Sequence, residues 1–276
     1  MPHPRKQFAQ HWLRSPTALN QIIKAAELSA TDKILEIGPG TAILTHDLLN
    51  YTETVVGVEI DRDLCKRLVK KLGNKENFLL LQGDFLEIDL DNLLKDFPKF
   101  KPINKVVANI PYNITGPILT KLLGTLSNPV INPHELIVLL VQKEVAERLC
   151  ATPGAKIFGA LSVRVQYLAE CEFICEVPAK AFHPAPKVDS AVVRLRPKPI
   201  ETPAKNPRHL EMLVKLGFAN KRKMLRNNLK SIAERDQLTP LLEQLNINPQ
   251  ARAEDLGVKQ WVALSDLIST QTVSNL

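Results

Sequence analysis

The sequence predicts an α/β fold, a parallel, doubly wound sheet followed by a small all-helical C-terminal domain. Three observations carry this. Over roughly the first 200 residues, short β-branched and aliphatic runs alternate with stretches of helical apolar spacing. A glycine turn, Gly38-Pro39-Gly40, follows the first of those runs, where an open α/β sheet places its ligands. Beyond a proline-rich stretch the strand-like runs stop and helical patterns alone remain.

Residues 15–28 carry Leu19, Ile22, Ile23 and Ala26 at helical spacing, so a helix precedes the sheet. The strand-like runs are 33–37, 54–60, 78–82, 105–109, 135–142 and 171–177, with 190–195 closing the region. Between them, 42–49, 63–72, 118–126 and 143–149 read as helices. Pro197, Pro199, Pro203 and Pro207 mark a linker and divide the chain into domains 1–200 and 201–276. In the second domain Leu225, Leu229 and Ile232 share one helical arc, while Arg222, Arg226 and Lys230 share another. Leu241, Leu242, Leu245, Leu264 and Leu267 complete a small core.

The longest aliphatic run, 136–141, is far shorter than the ~20 residues a bilayer span needs. His3, Arg5, Lys6, His11 and Arg14 interrupt the N-terminus, so neither a membrane helix nor a secretion signal is expected and the cytoplasm is the expected location. Cys171 and Cys175 fall in a strand-like run, and no paired C-x-x-C accompanies them or Cys65 and Cys150, so neither a disulfide nor a metal site is expected. Charge is placed unevenly. Between Lys205 and Lys230 eight basic residues face Glu211 alone, a local +7, while the whole chain also carries +7. The remainder is therefore neutral, and the cluster containing Lys221, Arg222, Lys223, Arg226 and Lys230 is expected to meet phosphates, with a solvated helix face as the alternative.

The chemistry sits at the ends of successive strand runs. Gly38 and Gly40 let the backbone turn sharply against a ligand. Glu59, 19 residues after Gly40, is placed to accept the hydroxyls of a ribose, and Asp84 to accept an adenine amine. A dinucleotide site wants a third glycine where this chain has Ile43, so S-adenosylmethionine is the expected cofactor, and the turn resembles the first motif of class I methyltransferases, whose sheet is Rossmann-like. Asn109-Ile110-Pro111-Tyr112 ends the fourth run. An adenine amine is a poor nucleophile because its lone pair is delocalised into the ring. Acceptors on its two N–H groups favour the pyramidal geometry of attack. Asn109 offers a side-chain carbonyl, Pro111 or its neighbour a backbone carbonyl, and Tyr112 a face on which the base can stack.

These motifs resemble those of the bacterial ribosomal RNA small-subunit adenine dimethyltransferases of the KsgA/RsmA type. The likeness spans almost the whole chain, through R-K-Q-F-A-Q-H-W-L at 5–13, V-E-I-D at 58–61, A-N-I-P-Y-N at 108–113 and V-Q-K-E-V-A-E-R-L at 141–149. It continues with F-H-P-A-P-K-V-D-S-A-V-V-R-L at 182–195 and F-A-N-K-R-K-M-L-R-N-N-L at 218–229. The resemblance implies cofactor contacts from His11, Leu13, Gly38, Glu59, Asp84 and Asn109, and a Phe182 that faces the target base opposite Tyr112. Taken on its residues alone, Phe182 reads as a core aromatic beside a proline turn, and Asp189 as a residue that orders that turn. Ala9 and Trp12 stand where the family usually has Gly and Phe.

The implied substrate is 16S ribosomal RNA within the small subunit, modified on two adjacent adenosines of its 3'-terminal hairpin by a monomeric enzyme. Two other readings stay open here. One is a large-subunit dimethyltransferase of the erythromycin-resistance type, which shares the 109–113 motif. The other is a noncatalytic ribosome-assembly factor, against which intact Gly38, Glu59, Asp84 and Asn109 argue. A DNA adenine methyltransferase is disfavoured by Ile110, where a second proline is usual, and a dehydrogenase by Ile43.

Overall fold

The computed structural model describes residues 10–232 and 235–274. They form two compact units. The first comprises the described residues up to Leu122 with Asn132–Ala146 and Glu172–Pro197. In chain order the elements are β1 (Trp12–Leu13), α1 (Pro16–Ala25), β2 (Lys33–Ile37), α2 (Ile43–Tyr51), β3 (Thr54–Glu59), α3 (Arg62–Leu72), β4 (Phe78–Gln82), α4 (Leu90–Leu93) and β5 (Lys105–Asn109). They continue with α5 (Thr115–Leu123), β6 (Leu136–Gln142), α6 (Lys143–Leu149), α7 (Ala160–Leu168), β7 (Ala169–Val177), β8 (Phe182–His183), β9 (Ser190–Pro197), α8 (Pro207–Gly217), α9 (Leu225–Asn228), α10 (Arg235–Gln244) and α11 (Val258–Ser274).

The sheet runs β4-β3-β2-β5-β6-β9-β7. From β4 to β6 every pair is parallel, in the register Ile37 with Val58, Glu59 with Gln82 and Asn109 with Leu140. Leu136 to Val141 are buried without a break, as an interior parallel strand covered on both faces requires. The order reverses between β2 and β5, so a crevice opens beyond their carboxyl ends. The expected all-parallel sheet is in fact mixed, because β9 runs antiparallel to β6. Its approach explains why: the chain between β7 and β9 holds a 3-10 turn at Ala179–Ala181 and β8, with no crossover helix to return it to a parallel start.

Local chemistry fixes the helix starts. Ser15 caps α1 by accepting from the Ala18 N–H at 3.3 Å, with Pro16 at the first helical position. Asp61 caps α3, accepting from Asp63 and Leu64.

The second unit comprises Leu123–Ile131, Glu147–Cys171 and the described residues from Lys198 onward. The compact units are thus not divided by one cut at residue 200, since 123–131 and 147–171 cluster with the C-terminal helices. Its core includes Leu210, Leu213, Leu225, Leu229, Leu238, Leu264 and the fully buried Trp261, which lies 5.5 Å from the Phe218 ring. Helix α8 ends at Gly217, where an added Cβ would meet Trp261 Cη2 at 2.3 Å. Gly217→Ala should therefore force the indole out of its place and cost about 1–3 kcal/mol of stability. Chemical denaturation that gives a midpoint equal to the unsubstituted protein's would contradict this packing.

Candidate active site

Beyond the carboxyl ends of β2 to β5 lies a cavity of about 310 Å³, whose lining includes Gly38, Gly40, Glu59, Asp84, Asn109 and Tyr112. Gly38 and Gly40 have φ of +71° and +57°, in the left-handed region that side chains rarely adopt. A Cβ at Gly38 would meet nothing within 4 Å, so this backbone is bare toward open space. Over Gly40 lies Trp12, its Cδ1 3.4 Å from where a Cβ would stand.

Glu59 closes the turn from behind. Its Oε2 accepts from the Gly40 N–H at 3.0 Å and its Oε1 from the Asp61 N–H at 2.9 Å, and the residue is only 4% exposed. Burial pushes its pKa above the ordinary carboxylate value, while those two backbone donors oppose the shift. Gln10 in turn donates to Asp61 Oδ2 at 3.1 Å, tying the N-terminal segment to the start of α3. Asp84 follows β4, and its Oδ1 accepts from the Leu86 N–H at 2.8 Å. At β5 the Asn109 Nδ2 donates to the His11 carbonyl at 3.1 Å. A backbone carbonyl only accepts, so this bond fixes the amide and leaves Oδ1 as its acceptor end. The Tyr112 ring is stacked on His11 with centroids 5.8 Å apart, and its hydroxyl meets Ser190 Oγ at 2.5 Å.

Beside this site Glu36 on β2 is 2% exposed, and its Oε2 has no hydrogen-bond partner. Burial, reinforced by the charge of Glu59, pushes its pKa up to about 8. A carboxyl that binds its proton more tightly when folded contributes stability fully present below about 4.5 and lost as pH rises through about 8. Glu36→Gln should therefore raise the melting temperature more at pH 8 than at pH 5, and equal gains at the two pH values would show that this carboxyl does not titrate so.

Of the residues expected to hold cofactor or base, His11, Gly38, Gly40, Glu59, Asp84, Asn109, Pro111 and Tyr112 line the one cavity. Leu13 and Phe182 lie outside that lining. The two are 5% and 4% exposed and belong to one apolar cluster with Ile22, Leu140 and Val192. The cause is pairing: β1 and β8 form a two-stranded ladder with Leu13 opposite Phe182, and it directs both side chains into the core. Asp189 orders its turn, accepting from the Ala179 N–H at 2.8 Å. Ala9 lies outside the described residues. Gln10, Trp12 and Ser190 were not singled out as site residues by the sequence; only the Tyr112 hydroxyl's need for a partner pointed toward a residue such as Ser190.

In the second unit Lys221, Arg222, Lys223 and Lys230 are exposed and Arg226 is half-buried. The helical arc expected of Arg222, Arg226 and Lys230 is not formed, because α9 spans only Leu225–Asn228. Arg222 precedes it in a turn closed by Asn220, whose Oδ1 accepts from the Arg222 N–H at 3.2 Å and whose carbonyl accepts from Lys223 at 3.1 Å. Lys230 follows it in another turn. The Asn228 side chain holds this compact form by donating to the Gly217 and Asn220 carbonyls at 2.6 and 3.0 Å. Leu225 and Leu229 pack inward as expected, both 0% exposed.

A family model described as ribosomal RNA adenine dimethylase matches residues 1–270. The ribosomal RNA small subunit methyltransferase A of a Nostoc species is 68% identical over 271 residues, covering 98% of this chain and 100% of the relative. The protein of the same name from Rippkaea orientalis is 64% identical, covering 98% and 99%. Among solved structures, a dimethyladenosine transferase from Plasmodium falciparum superposes with a TM-score of 0.77 at 27% identity, covering 96% of this chain and 98% of that one. The 23S rRNA methyltransferase ErmE gives 0.68 at 25% identity, covering 94% and 99%. The fold is thus of the class I methyltransferase kind, and the chain belongs to the ribosomal RNA adenine dimethylase family.

Proposed function

We propose that this protein transfers methyl groups from S-adenosylmethionine to the N6 amines of two adjacent adenosines in the 3'-terminal hairpin of 16S ribosomal RNA, giving N6,N6-dimethyladenosines in the small subunit. The observation that carries the reading is the amide of Asn109, whose Nδ2 is held by the His11 carbonyl with Oδ1 left as its acceptor end, in the wall of the cavity that the bare glycine turn and Tyr112 also line. The names of the 57–68% identical relatives favour the small subunit over the large.

The residues present suit that cofactor. The glycine turn offers backbone with no Cβ in the way, and Glu59 offers buried carboxylate lone pairs for the ribose hydroxyls. Asp84 would accept from the adenine amine. When bound, S-adenosylmethionine supplies a methyl group activated by its sulfonium. Asn109 Oδ1 would accept one N–H of the target amine and so draw its lone pair out of conjugation. The backbone carbonyl of Pro111, which also accepts from the Ile114 N–H at 3.3 Å, or that of its neighbour Ile110 would accept the second N–H. Tyr112 would stack on the base, its hydroxyl held by Ser190 and its pKa kept high by burial, so the ring stays neutral. No strong base is required before attack, because the amine becomes acidic only once its nitrogen carries positive charge.

Lys221, Arg222, Lys223, Arg226 and Lys230 would meet the phosphates. Replacing Arg222, Arg226 and Lys230 together with Gln should flatten the slope of log affinity against log salt by about two to three units, roughly 0.7–0.9 for each phosphate no longer neutralised. Coincident slopes would reassign these residues to a solvated surface. We further propose a monomer working in the cytoplasm; among the described residues no helix is long and apolar enough to cross a membrane. The activity is tested by transfer of label from S-adenosylmethionine to undermethylated small subunits. Labelling of large subunits instead would overturn the small-subunit reading.

A further inference from the structure

The backbone after β4 folds back on itself. Asp84 O accepts from the N–H groups of Glu87 and Ile88, both at 3.0 Å, so neighbouring carbonyls are turned outward. Three of them converge on one side chain. Lys121 Nζ on α5 donates to Phe85 O at 2.5 Å, Leu86 O at 3.2 Å and Ile88 O at 2.6 Å. It also sits 5.0 Å from the centroid of the Phe85 ring. A lysine ammonium carries three donors, and this segment supplies three acceptors.

We infer that Lys121 is a positioning residue for the cofactor: its ammonium clamps the 84–88 turn so that Asp84 and Phe85 keep their places in the cavity wall. Asp84 and Phe85 both line the cavity, and Phe85 is 5% exposed. Without the ammonium, three carbonyls near an apolar ring lose their common partner. Lys121 also lies on the helix that follows Asn109 to Tyr112, so the clamp links the adenine-side turn to the loop that presents the base. Burial lowers its pKa, and the nearby charges of Asp84, Glu87 and Asp89 oppose that shift and favour the ammonium.

The inference rests on the cavity being the S-adenosylmethionine site. Calorimetry on the full chain should show Lys121→Met binding S-adenosylmethionine on the order of tenfold more weakly, with turnover at saturating cofactor within about threefold. Amides 83–88 should exchange faster in this variant and those of the other strands unchanged. Because Lys121 acts through Asp84, the loss in a Lys121→Met, Asp84→Asn double variant should be smaller than the product of the single losses. Lys121→Arg keeps the charge but cannot aim three N–H groups at one point, so it should lose less in the same direction and carries the test if the Met variant does not fold. Unchanged affinity in a folded variant, or single losses that multiply in full, would overturn the inference. If the unsubstituted protein itself does not bind S-adenosylmethionine, the reading of the cavity fails, and the inference falls with it by that distinct result.

Discussion

Replacing Asn109 by Ala is expected to lower single-turnover methylation on the order of a hundredfold or more while leaving RNA affinity near that of the unsubstituted protein. The reason lies in when its carbonyl acts. Hydrogen bonds from a neutral adenine amine are ordinary, but they strengthen as nitrogen gains positive charge, and a preorganised dipole in a partly buried site costs no reorganisation at that moment. Removing one such group in other enzymes costs about 10²–10³ in turnover. The same substitution frees the His11 carbonyl, so some loss of cofactor affinity accompanies it. Asn109→Asp sharpens the test: it keeps an acceptor but places carboxylate oxygen against that carbonyl. Its turnover should also fall. Near-normal single-turnover rates in Asn109→Ala would remove this residue from the chemistry.

Glu59→Ala should weaken S-adenosylmethionine by about 1.5–3 kcal/mol, as expected for hydrogen bonds to a charged group. The cavity loses an acceptor, and the N–H groups of Gly40 and Asp61 lose the oxygens that hold the glycine turn to the start of α3. Glu59→Gln should be nearly as harmful. Both carboxylate oxygens accept from backbone N–H groups, so the amide of Gln would set its own N–H against one of them. Calorimetric titration decides the matter, with circular dichroism confirming the fold. A folded Glu59→Ala protein that binds the cofactor as tightly as the unsubstituted one would defeat the assignment.

Strand positions were legible because buried and half-buried parallel strands are short apolar runs, and β2, β4 and β5 occupy the expected residues 33–37, 78–82 and 105–109. So was the place of the cavity, since a glycine turn and three polar side chains stand at successive strand ends. What stayed hidden depended on pairing across long sequence distances. Two-residue strands such as β1 and β8 have no periodicity to detect, and only their ladder sets Leu13 opposite the core aromatic Phe182. Helix α7 is buried at Ser162, Val163, Val165, Tyr167 and Leu168, so it lacks the polar face that marks an amphipathic helix. The spacing of Arg222, Arg226 and Lys230 suited a helix, but the hydrogen bonds of Asn220 and Asn228 fold that segment into turns around four helical residues.

The central claim is that this chain dimethylates two adjacent adenosines at the 3' end of small-subunit RNA. The most direct measurement incubates the protein with S-adenosylmethionine and undermethylated small subunits, digests the 16S RNA and maps modified nucleosides by mass spectrometry. The account predicts N6,N6-dimethyladenosine at both positions of the terminal hairpin, and its loss when Asn109 is replaced by Ala. Unmodified adenosines there, or dimethylation confined to large-subunit RNA, would contradict it.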